Sequence, residues 1–89
     1  MLIPIYQKKF LKDIEKAKKR GLNMEKIKTI VDMIINEHVL PIKNRNHKLQ
    51  GDYIDCWECH IEPDWLLIYK KTHTEVMFVR TGSHSDLFA

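Results

Sequence analysis

The sequence predicts an α+β fold of order β-α-α-β-β-β: an antiparallel sheet with an N-terminal helix pair packed on one face. Three observations predict it. Apolar residues recur at helical spacing from Gln7 until shortly before Pro41, and from Tyr53 onward the period falls from about 3.6 to 2. Only Gly21, Leu22 and Asn23 separate the two helical stretches, so these must fold back on each other as an antiparallel pair. Eighty-nine residues supply one core of modest size, so residues 1–89 are read as a single domain.

Leu2–Ile5 is short and rich in β-formers, and Pro4 interrupts it, which suits a strand at a sheet edge because proline donates no ladder hydrogen bond. From Gln7 to Arg20, Phe10, Leu11, Ile14 and Ala17 form a helical stripe, Lys8, Lys12, Lys16 and Lys19 another face, and Gly21 a stop. Asn23 caps the second helix, with Glu25 favourable near its positive end. Its buried stripe reads Ile27, Ile30, Val31, Ile34 and Ile35. Ile42–Gln50 is a polar, basic surface loop, and such loops carry function more often than helix faces do. Its cations Arg45 and Lys48 are candidates for substrate binding. Tyr53–Ile61 reads as a strand with Trp57, Cys59 and Ile61 on one face and Cys56, Glu58 and His60 on the other. Pro63 sets a turn, and Trp65–Lys71 is apolar enough to be a strand covered on both faces. After a turn at His73, Glu75–Arg80 is a last strand with Val76, Phe78 and Arg80 sharing a face. Thr81–Ala89 is a short tail, a helical turn holding His84 and Phe88.

The net charge of +3 hides an asymmetry. Residues 1–50 hold twelve Lys and Arg against five Asp and Glu, a balance of +7, whereas residues 51–89 hold three against seven, a balance of −4. A basic helical half suits a polyanion such as RNA, or an acidic protein partner. The apolar runs are far too short to span a membrane, and the lysines at 8 and 9 follow too brief an apolar stretch for a secretory pattern. The simplest reading is a cytoplasmic protein with no membrane association.

His47, His60, Asp64, Arg80 and His84 together contain what cleavage of RNA without a metal or cofactor requires. A base must take the ribose 2′-hydroxyl proton, an acid must protonate the leaving 5′-oxygen, and a cation must stabilise charge on the phosphorus. Imidazole suits the first two jobs and the planar guanidinium the third. Trp65 and Phe88 could stack on unpaired bases. A single histidine in a chain this short is usually a surface or satisfied core residue, and His38 and His73 are read so. Cys56-Trp57-Glu58-Cys59-His60 matches the haem-attachment spacing C-x-x-C-H. In a strand, however, its two thiols point to opposite faces, and no second cysteine pair completes a thiolate site. They are read as buried, inert thiols.

His47-Lys-Leu-Gln-Gly51, Glu58-Cys-His60-Ile-Glu-Pro63-Asp64-Trp65-Leu-Leu-Ile-Tyr69 and Arg80-Thr-Gly82-Ser-His84-Ser-Asp-Leu87-Phe88 resemble the YafQ branch of the RelE superfamily, bacterial toxin–antitoxin endoribonucleases. The resemblance covers essentially the whole chain. It implies a RelE-like α+β toxin that cleaves mRNA, commonly on the ribosome, and is held inactive by a cognate antitoxin, with operator DNA reached only through that complex. By position, His47, His60, Asp64 and His84 match the family's acid–base cluster, Arg80 its phosphate-stabilising arginine, and Trp65 and Phe88 its substrate-contacting aromatics. The preferred arrangement sets His60 with Asp64 around the 2′-hydroxyl and His84 near the leaving oxygen. Relatives usually carry an arginine where this chain has Trp57, so a positive charge is missing from that strand. Two other readings compete: a toxin of the same fold that binds a protein target such as gyrase without cutting RNA, and a non-enzymatic RNA-binding module. The histidine–arginine set argues against the first, and metal-independent cleavage lost in His60→Ala or His84→Ala would separate the nuclease from both.

Overall fold

The structure is a computed structural model and describes residues 1–88. Its elements are β1 (Ile3–Tyr6), α1 (Lys8–Lys19), α2 (Met24–Ile35), β2 (His47–Lys48), β3 (Trp57–Glu62), β4 (Trp65–Lys71), β5 (Glu75–Gly82) and α3 (His84–Phe88). The five strands form one sheet in the order β1-β5-β4-β3-β2. The α+β architecture is as expected, with one added strand and one departure from an all-antiparallel sheet. The basic loop contributes the short edge strand β2, antiparallel to β3, and β1 takes the opposite edge running parallel to β5. The final helical turn is α3; Ala89, part of the expected tail, lies outside the described residues.

Local chemistry sets the helix ends. Gly21 at φ +77° places its N–H on the Lys18 carbonyl and that of Leu22 on the Ala17 carbonyl, the paired bonds of a Schellman stop. The Asn23 side chain accepts from the N–H of Glu25, two residues on, and caps α2 at its start. α2 ends at Ile35, earlier than Pro41 alone would require. Glu37 adopts φ +58° and closes the same motif, with the His38 N–H on the Met33 carbonyl.

The helix pair covers one face of the sheet. Phe10, Ala17, Ile27, Ile30, Val31 and Ile34 pack there against Cys59, Trp65, Leu67, Tyr69, Val76 and Phe78. Leu11, expected in the stripe of α1, is instead half exposed. On the other face Leu66 and Ile68 lie under Cys56, Leu87 of α3 and the partly buried Leu49, Tyr53 and Val79. β4 is therefore buried on both faces, as its unbroken apolar run predicts.

One irregularity repositions a key residue. Tyr69 pairs with Phe78 and Ile68 with Arg80, so Val79 is an extra residue in β5. A bulge of this kind breaks the period of 2. Arg80 thus leaves the face of Val76 and Phe78, where strict alternation placed it, and stands across from Ile68 on the face away from the helix pair.

Candidate active site

On that second face the sheet presents a row of acid–base groups. β2 pairs with β3 so that His47 sits opposite Glu58, and His60, two residues along, shares their face. Glu58 is buried and its Oε1 lies 3.4 Å from Nε2 of both His47 and His60. The His47 and His60 rings are 6.4 Å apart between centroids, and the His60 and His84 rings 5.8 Å. His84 opens α3, which carries it back over β3 from beyond the end of β5. Imidazoles from three distant points in the sequence therefore meet in one place.

Two of the rings have assigned orientations. His47 Nδ1 is 2.7 Å from the Arg45 carbonyl, and His84 Nδ1 is 2.6 Å from Asp64 Oδ1. A carbonyl or carboxylate oxygen only accepts, so each Nδ1 carries the proton and Nε2 is left for chemistry. Asp64, in the turn between β3 and β4, also accepts from the His84 backbone N–H at 2.9 Å. Those two bonds, the backbone one first, hold its carboxyl below the usual carboxylate range. The expected pairing of Asp64 with His60 is thus corrected: Asp64 belongs to His84, and the carboxylate at His60 is Glu58. Sequence reasoning put Glu58 on the correct face but left it out of the site. The available signal was a charged residue at an alternate position next to a histidine.

Further along the face, Phe88 is half exposed and lies 6.5 Å from the His84 ring and 5.7 Å edge-on from Tyr53. Arg80 adjoins Tyr53 but is engaged by α1. Its Nε and Nη2 donate to Asp13 at 2.7 and 3.2 Å, and Asp13, with Tyr53 contributing, raises the guanidinium further above its already high range. The same Asp13 carboxylate accepts from the Thr81 N–H. That N–H lies past Phe78, where pairing with β1 has ended, so α1 takes over the exposed edge of β5.

Two expected substrate contacts are corrected. Trp65 is 2% exposed on the helix side of the sheet, its Nε1 donating to Thr81 Oγ1. It is a core residue because the turn at Pro63 and the bulged register of β3 send its side chain inward. Lys48 alternates away from His47 and stands 5.7 Å over the Trp57 ring, as does Lys71. Arg45 is exposed in a left-handed conformation at φ 48°, and what it gives the site directly is its carbonyl, which holds His47. Trp57 thus gathers two lysines on the far face. Cys56 and Cys59 point to opposite faces, as the alternation predicts, and burial pushes the Cys59 thiol up to about 12.

The model of the family "Bacterial toxin of type II toxin-antitoxin system, YafQ" matches residues 3–89. The chain belongs to this family. It is 40% identical over 84 residues to the mRNA interferase toxin YafQ of Escherichia coli K12, covering 93% of this chain and 91% of that one. The structure superposes on crystalline YafQ from E. coli BL21(DE3) with a TM-score of 0.95 at 37% identity over the full length of both chains. With YafQ in the E. coli DinJ–YafQ toxin–antitoxin complex the TM-score is 0.93 at 38% identity, covering 99% and 98%. The family's fold, a RelE-like α+β sheet and helix pair, is the one described above.

Proposed function

We propose that this protein is the toxin of a type II toxin–antitoxin pair and an endoribonuclease that cleaves mRNA by acid–base chemistry between side chains. The observation that carries the mechanism is the meeting of the His60 and His84 rings at 5.8 Å, each beside its own carboxylate, on an open face of the sheet. His84 Nε2, with Nδ1 held by Asp64, takes the proton of the ribose 2′-hydroxyl as its oxygen attacks the adjacent phosphorus. His60 returns a proton to the departing 5′-oxygen, leaving a 2′,3′-cyclic phosphate and a 5′-hydroxyl. The Glu58 carboxylate, 3.4 Å from Nε2 of both His47 and His60, orients the two rings. Arg80 contributes positive charge at the phosphate through the part of its guanidinium outside the Asp13 pair. Phe88 offers a half-exposed ring for a base to stack on.

The relatives' names support mRNA as substrate and an antitoxin as partner. The exposed lysines of α1 support docking on a polyanion, which for a translated message is the ribosome. Cleavage in the presence of EDTA should fall by roughly 10²–10⁴-fold in His60→Ala or His84→Ala. An RNA whose leaving oxygen is replaced by sulfur needs no acid, so it should restore turnover in His60→Ala and not in His84→Ala. Rescue of His84→Ala alone would exchange the two roles. Cleavage undiminished in both variants would remove the site.

A further inference from the structure

Beside His60, on the side of β3 that β2 leaves uncovered, lies a cleft of about 570 Å³ that the reaction above does not use. β2 begins at His47, so the stretch from His60 to Glu62 has no strand neighbour there. Asn44 takes the missing strand's place, its Nδ2 donating to the His60 carbonyl at 2.7 Å. Asn44 is 4% exposed, and its Oδ1 is buried without a hydrogen-bond partner among the described residues. Such an acceptor is uncommon, because burying it unpaired is costly. The walls are apolar, formed by Ile30 and Met33 of α2 and by Ile61 and Pro63, while Lys43 and Arg45 stand at the rim. A third rim cation, Lys26, is bound to Glu62 at 3.1 Å.

We propose that this cleft is a nucleobase subsite that gives the cleavage its sequence preference. The proposal rests on the RNA-cleavage reading above and adds to it. A base next to the scissile phosphate enters between the apolar walls, and its amino or ring N–H donates to Asn44 Oδ1. Lys43 and Arg45 meet the phosphate on its far side. Apolar walls with a few placed polar groups are what small-ligand clefts offer, and the volume is of their size. Cations at the mouth and continuity with His60 make a nucleotide the fitting occupant. The walls must part slightly for the donor to reach Oδ1, and Met33, unbranched and adaptable, is the wall residue suited to that. The link through the His60 carbonyl joins occupancy of the cleft to the strand that carries a proton-transfer group.

The test compares cut sites on one translated message for the wild type, Thr29→Trp and Met33→Trp. Thr29 is exposed on α2 and lines the cleft, so an indole there fills it with little cost to folding. The ratio of cutting at the favoured neighbouring base to cutting at the others should fall by about tenfold in both variants, the worth of one buried hydrogen bond. Cuts that keep the wild-type base profile in both variants would overturn the subsite and leave the nuclease reading standing. A wild type that cuts no message would overturn both. Variants that keep the base profile but no longer bind the antitoxin would assign the cleft to a protein partner, which also overturns the proposal.

Discussion

At the scale of single residues, the same side-chain type does different work according to the face it occupies. Trp65 and Phe88 are both aromatic and both near histidines in sequence, yet one is sealed in the core and the other half exposed beside His84. Trp65→Phe should therefore lower stability by about 1–2 kcal/mol, through loss of the bond from Nε1 to Thr81 Oγ1, with turnover of the folded protein unchanged. Urea unfolding together with a rate measurement checks this. Turnover lost at undiminished stability would return Trp65 to the substrate. Asp64 and Glu58 also divide the labour. Asp64 is exposed in a turn and holds His84 by ring and backbone, whereas Glu58 is buried between two rings.

At the scale of elements, α3 is only five residues long and depends on its attachments to place His84 and Phe88. Asp86 supplies them. It accepts from both terminal nitrogens of Arg20 at 2.6 and 3.1 Å, from Lys16 at 3.3 Å and from the Ser83 N–H at 2.9 Å. Gly82 must lack a side chain for this, since a Cβ there would come within 2.9 Å of Asp86. Arg20 above all, then the Ser83 N–H, holds the Asp86 carboxyl far below the usual range. The folded protein thus binds that proton more weakly than the unfolded chain. Its stabilising effect is complete above the unfolded value of about 3.9 and drains away as pH falls below it. Asp86→Asn should cost about 1–3 kcal/mol at pH 7, and the gap from wild type should close between pH 4 and lower values in denaturation series. At the end of α2, Glu37 occupies a left-handed conformation that favours glycine. Glu37→Gly should raise stability by about 0.5–1 kcal/mol, because the Glu37 carboxylate has, among the described residues, only an exposed pair with the N-terminal amine at 3.9 Å to lose. A lowered melting temperature would show that this pair outweighs the backbone strain.

At the scale of the whole molecule, charge and chemistry are segregated. The helix pair carries most of the lysines and covers one face of the sheet, while the acid–base row lies on the other. A substrate or antitoxin segment that meets both must wrap around an edge of the sheet. An antitoxin that does so with acidic residues should bind less tightly as salt rises from low to several hundred millimolar, read as a falling association rate. Salt-independent binding would mean that apolar contacts hold the complex.

Local signals were enough to read the order of the elements apart from the short β2, the helix pair, the Gly21 stop, the Asn23 cap and the opposed cysteine thiols. Each depends on neighbours a few residues apart. The sequence also named all three histidines that the structure brings together. What only tertiary structure decided was which groups pair: Asp64 with His84, Glu58 between His47 and His60, Arg80 with Asp13, and Trp65 with Thr81. The bulge at Val79 shows the reason, because one extra residue moved Arg80 across the sheet with no change in the local pattern. Side-chain partners are set by register between strands and by helices returning from elsewhere in the chain, and spacing along one segment carries no record of either.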